Sequence, residues 1–175
     1  MASLTIQRPA QGEYNPYYEG YISQVPQGDL LMLLEQQGRD TAALLRGVSE
    51  EKSQYRYAPS KWSIREVVGH LADAERVFAY RAVTFARSDP TPLPSFDENV
   101  WAGNSNAGSR KLAELATEFA AVRQSTLALF RSFTEGHFAQ SGVASNNKVS
   151  VRALAYIIAG HERHHVKILH ERYGV

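Results

Sequence analysis

Ser63-Ile64-Arg65-Glu66-Val67-Val68-Gly69-His70-Leu71-Ala72-Asp73-Ala74-Glu75 is the stretch that decides the fold. Ser63 and Glu66 stand at the spacing of a capping box, in which a hydroxyl and a carboxylate take up backbone N–H groups left without partners at a helix start. Val67, Val68, Leu71, Ala74 and Phe78 follow at helical spacing. One apolar face results, and it predicts a helix running to about Arg87.

The same period recurs on both sides of this stretch. Leu30, Leu31, Leu33, Leu34, Ala42, Leu44, Leu45 and Val48 predict a first helix over residues 29–47, with Gly47 where a helix would end. Leu112, Leu115, Phe119, Val122, Leu127, Phe130 and Phe133 define a third. Ser150 can cap a fourth, whose stripe is Leu154, Ile157, Ile158, His161, His165, Ile168 and Leu169. Four amphipathic helices with no convincing run of alternating strands point to an all-α, four-helix up-and-down bundle in one domain over residues 29–175. The link between the first two helices predicts antiparallel neighbours. A long link with Pro90, Pro92 and Pro94 joins helices two and three and could cross the bundle end, and residues 136–149 read as a loop. Residues 1–28 mix Pro and Gly with Tyr14, Tyr17, Tyr18 and Tyr21, which predicts an ordered aromatic arm laid across the bundle.

Composition narrows the function. Nineteen basic and eighteen acidic side chains leave a formal net charge of +1, so no global field draws the chain to nucleic acid or to an anionic membrane. There is no cysteine, which removes a disulfide framework, a thiolate metal site and a protein thiol nucleophile. Met1 to Thr5 lacks the basic and apolar pattern of a signal segment, and no window reaches the length of a membrane span. The expectation is a cytoplasmic protein.

Any metal must therefore be held by His, Asp or Glu. His161 and His165 lie four residues apart, so on a helix they share a face and can converge on one ion. They stand where the apolar stripe calls for Leu or Ile, and core histidines are costly unless paired or ligated. A hydrogen-bonded pair would also satisfy them. His164 fits the spacing as well, on the other flank of His161. His70 sits at one edge of the second helix's stripe, and would add a third nitrogen if helices two and four are neighbours. His137, in a loop, and His170, in the last turn, read as surface residues.

Lys61 to Glu75, with Gly160-His161-Glu162-Arg163-His164-His165, resembles the second-helix and final-helix motifs of the DinB/YfiT-like superfamily of metalloenzymes. Tyr14-Asn15-Pro16-Tyr17-Tyr18, Val25-Pro26-Gln27-Gly28-Asp29 and Phe96-Asp97-Glu98 with Trp101 are similar to a branch with an aromatic leader. The resemblance implies a four-helix bundle and one divalent metal on His70, His161 and His165, and it selects His165 over His164. It further implies either transfer or addition of a small cellular thiol such as bacillithiol or mycothiol, or metal-dependent hydrolysis.

Three neutral imidazoles leave the ion's charge unneutralised and at least one position open, which suits both chemistries. Zinc or nickel fits imidazole ligands best. With no cysteine, a thiol would arrive as a cosubstrate beside a small-molecule substrate. Asp97 and Glu98, in the long link, rank first as pocket or proton-transfer carboxylates, ahead of Asp73 and Glu162. A bundle that binds metal or ligand without catalysis is the alternative, and a homodimer is the expected assembly if the aromatic arm joins two copies.

Overall fold

The structure is a computed structural model that describes residues 5–175; the first four residues of the expected arm lie outside the described residues. Four long helices dominate: α2 (Leu30–Arg46), α3 (Ile64–Ala86), α5 (Leu112–Arg131) and α7 (Val151–Ile168), the last continued by a π-helical turn over Leu169–Tyr173. Their starts are capped as the side chains dictate. Asp29 accepts from the N–H groups of Leu31 and Met32, Ser63 and Glu66 form both halves of the capping box, and Ser150 accepts from Ala153 N–H. Lys111 cannot cap α5, so the distant Glu50 carboxylate accepts from Leu112 N–H instead, at 3.0 Å.

Shorter elements fill the connections: α1 (Glu19–Ile22), α4 (Glu98–Asn104) and α6 (Glu135–Ala139). Within the stretch expected as a loop, β1 (Ser141–Ala144) pairs antiparallel with β2 (Asn147–Ser150). Ser145 and Asn146 at the turn both have positive φ, the backbone a two-residue hairpin needs.

The four-helix bundle is present, but its order around the ring is not the order in the chain. α2 packs on α5 and α7, and so does α3, which leaves α2 and α3 on a diagonal rather than as the neighbours their link suggested. Arg131 meets Glu35 and the Leu112 end meets Glu50, so α2 and α5 run opposite ways. Tyr173 donates to Trp62 O, so α7 ends where α3 begins. α3 and α5 run the same way: Arg76 pairs with Glu118 near their middles, and Arg87 lies over the Phe133 ring at their far ends. Two parallel neighbours need a connection that returns the full length of the bundle. Residues 87–111 supply it, which accounts for the length of that link.

The core falls into two apolar halves. One gathers the arm, the hairpin, and residues such as Phe78, Phe85, Phe130, Leu154 and Ile157; the other gathers Leu45, Val67, Leu71, Leu115, Phe119, Leu169 and Tyr173. Between them lies a layer of buried polar side chains from the four long helices: Gln37 and Thr41, His70 and Glu75, Arg123, and His161, Glu162 and His165. Among the described residues, no helix is long and apolar enough to cross a membrane.

Candidate metal centre

In this layer α3 and α7 lie side by side, which brings His70 opposite His161 and His165. The three rings are 6%, 7% and 9% exposed. One ring nitrogen from each lies within 4.8 Å of the others, and the Nε2 atoms of His70 and His161 are 3.0 Å apart. Two nitrogens bound to one tetrahedral zinc stand roughly 3.3 Å apart, so small side-chain adjustments would let the cluster take an ion. No fourth His, Cys, Asp or Glu joins the cluster among the described residues. The donor set and its spacing therefore fit a divalent cation.

Aromatic walls enclose the cluster. Trp62 lies 4.7 Å from the His70 ring and stacks at 6.5 Å on His165, while Phe78 and Tyr21 approach His161 at 5.9 and 5.5 Å. This burial holds the imidazole of His70 down, to about 4. Burial, and then mutual repulsion with neighbouring histidines, pushes His161 and His165 well below their ordinary value. All three are neutral near pH 7, the form that ligates metal.

Two glycines admit the segments that frame the site. Gly160, next to His161, lies against the backbone of Tyr21, where an added Cβ would sit 2.1 Å from Tyr21 O. Gly69, next to His70, lies against Ala107 of the long link, where an added Cβ would sit at 2.9 Å. The arm and the link thus reach the histidines because no side chain stands in their way.

A cavity of about 190 Å³ opens beside His70 and His161, lined also by Tyr17, Tyr18, Tyr21, Phe78, Arg81 and Glu98. Glu98, singled out in the sequence, belongs to this lining. Asp97 does not: its carboxylate accepts from Asn99 and Val100 N–H and caps α4. His164 packs its ring 5.1 Å from Tyr21 and stays outside the three-nitrogen cluster. His137 caps α6, His170 reaches Val175 O, and Asp73 pairs with Arg76 on the surface.

Glu162 has a different place from the one its sequence neighbour suggests. It is buried against Arg123, which also forks onto Glu75 and donates to Leu34 O, while Gln37 and Thr41 donate to Glu162. Arg81 was absent from the sequence candidates. A signal was available: it lies eleven residues, close to three turns, beyond His70 and so on the same face of α3.

The sequence profile of the DinB superfamily matches residues 33–169. A "Putative metal-dependent hydrolase" of Oceanobacillus iheyensis is 27% identical over 129 residues, 70% of each chain. A protein of the same description from Bacillus licheniformis is 29% identical over 126 residues, 68% of this chain and 69% of that one. Among solved structures, YfiT from Bacillus subtilis, described as a probable metal-dependent hydrolase with an unusual four-helix bundle topology, superposes with a TM-score of 0.69 at 17% identity. That match covers 96% of this chain and 94% of YfiT, and the likeness is one of fold. The second-helix and final-helix motifs, the bundle they build and the profile match over most of the length agree: this chain belongs to the DinB superfamily.

Proposed function

We propose that the protein is a metal-dependent enzyme in which His70, His161 and His165 hold one divalent cation, zinc or nickel, and a small cellular thiol is added to an electrophilic substrate. One observation carries the metal-dependent part of this reading: a cluster of three neutral imidazoles, with no fourth His, Cys, Asp or Glu among the described residues, borders through His70 and His161 a cavity of about 190 Å³. When bound, the cation supplies a Lewis acid that favours the deprotonated form of a thiol or water beside it.

The chain's own residues do the rest. Trp62, Phe78 and Tyr21 keep bulk water from the flanks of the histidines. The Glu98 carboxylate lines the cavity, and in this reading it accepts the proton that the nucleophile gives up. Burial raises the Tyr18 and Tyr21 phenols, which therefore stay protonated and can donate hydrogen bonds to negative charge developing on the substrate. The thiol must come from solution, because the chain has no cysteine.

Hydrolysis is the second reading, and the names of the two bacterial relatives favour it. In that case Glu98 would take its proton from water. Protein loaded with zinc or nickel, assayed with bacillithiol or mycothiol plus chlorodinitrobenzene and separately with p-nitrophenyl esters, tells the two apart. Thiol-dependent turnover that is lost with a chelator supports transfer. Ester cleavage without thiol supports hydrolysis, and a metal-loaded protein inert in both assays would leave a binding bundle.

A further inference from the structure

Arg81 is only 3% exposed, yet no carboxylate lies within ion-pair distance of its guanidinium among the described residues. Its Nη2 donates to Pro94 O at 2.8 Å and to Ser145 Oγ at 3.0 Å, and the Tyr18 hydroxyl is its other neighbour. These are neutral partners. The other deeply buried arginine, Arg123, is held by two carboxylates. A guanidinium buried without a counter-ion is disfavoured, and burial indeed lowers the pKa of Arg81, though such a group stays charged.

The space beside Arg81 is open. It lines the cavity that reaches His70 and His161, and also a second cavity of about 170 Å³ that shares Tyr17, Tyr18 and Ser145 and is flanked by Lys148. Its guanidinium carbon lies 6.0 Å from the Phe78 ring, which in turn lies 5.9 Å from the His161 ring. Glu98 is the opposing charge at the first cavity, and it sits on the exposed side. The buried end of the cavity is therefore positive.

We propose that Arg81 is the anion-recognition residue of this cavity, and that the substrate carries a carboxylate that docks on it while its reacting end lies against His70 and His161. Nη2 is committed to Pro94 O and Ser145 Oγ, and the other N–H groups of the guanidinium can give a carboxylate charge-assisted hydrogen bonds, roughly twice as strong as neutral ones. The inference rests on the proposed function for what happens at the histidine end, whereas the anion subsite can be tested without it.

The test is titration of the metal-free protein at pH 7 with propionate, propionamide and inorganic phosphate, followed through the Arg81 Nε–H resonance by NMR. Saturable propionate binding is expected, at least about tenfold stronger than propionamide. Arg81→Gln should weaken it about tenfold, Arg81→Lys should retain part, and Lys148→Gln should leave it within twofold. Equal binding of propionate and propionamide to the unaltered protein overturns the proposal even if Arg81→Gln fails to fold. Loss in Lys148→Gln instead of Arg81→Gln does so too, and phosphate binding tenfold tighter than propionate overturns the choice of carboxylate. Propionate selectivity in a protein that takes up no metal would sink the metal site and leave this subsite standing; metal uptake without that selectivity would do the reverse.

Discussion

A histidine that is buried and kept neutral offers a lone pair and no charge, and three of them facing one point gain little unless something positive sits between them. That makes the proposed ligands separable by substitution. His70→Ala, His161→Ala and His165→Ala are each expected to weaken zinc binding by more than about a hundredfold, measured by competition with a chromogenic chelator. His164→Ala should change it less than threefold, because that ring rests on Tyr21. Full affinity in His165→Ala would remove the site as proposed. Of the cluster, the pair on α7 was legible from its four-residue spacing, although spacing left His164 and His165 equal. Their separation depends on which flank of α7 meets α3, a tertiary fact that periodicity does not carry. Arg81 and Arg123 escaped for a related reason: a cation on an apolar stripe looks like an interruption until its partners, far away in sequence, are known.

At the scale of elements, a close contact and an ion cluster are among the ties that hold the arm to α7, and each gives a test. Ala is a better helix former than Gly by about 1 kcal/mol, so Gly160→Ala would stabilise α7 if nothing touched it. The Tyr21 backbone does touch it, and the added methyl must push α1 away. The expected result is a loss of about 1–3 kcal/mol in urea unfolding and faster proteolysis within residues 5–28; a more stable variant would mean the arm is not docked there.

Glu13 supplies the ion cluster. Burial would raise its carboxyl, but hydrogen bonds from Arg152, Ala10 N–H and Ser150 outweigh this and hold it at about 2. With the folded value below the ordinary 4.5, the unfolded chain binds more protons between the two. The contribution is therefore complete above pH 4.5 and is lost as pH falls through about 2. Because the pair is partly exposed, roughly 1–2 kcal/mol is at stake. The protection factors of the arm's amides should fall as pH drops across that window, and Glu13→Gln should flatten the dependence. The long helices were legible to within a residue or two because their caps and stripes are local. The hairpin was missed although Ser145-Asn146-Asn147 is a turn signal, since each strand is only four residues long and alternates weakly.

On the scale of the molecule, the order of helices around the ring decides which side chains share the polar layer. No local pattern encodes that order; it follows from the α3–α5 parallel pairing and the returning link. The layer is fastened at its centre by Arg123, 1% exposed, which joins α5 to Glu75 on α3, Glu162 on α7 and Leu34 O on α2. Burial alone would lower its pKa, and Glu162 and Glu75 outweigh that and raise it. Arg123→Met would leave two carboxylates buried without a cation, at a cost of roughly 3–5 kcal/mol. At about 2–4 °C per kcal/mol for a domain of this size, the melting temperature should fall by roughly 10 °C. Adding Glu75→Gln and Glu162→Gln removes the stranded charges and should recover part of the loss. Zinc affinity distinguishes a fastener from a mere bystander. Glu162 is the residue after His161, and Glu75 shares α3 with His70, so a fastener that sets the α3–α7 separation must also set the distance between the ligands. Arg123→Met is therefore expected to weaken zinc binding about tenfold in protein that is still folded by circular dichroism, with the triple variant partly restored. Unchanged zinc affinity in a destabilised Arg123→Met would mean that the histidines are positioned by the aromatic walls and the two glycine crossings alone.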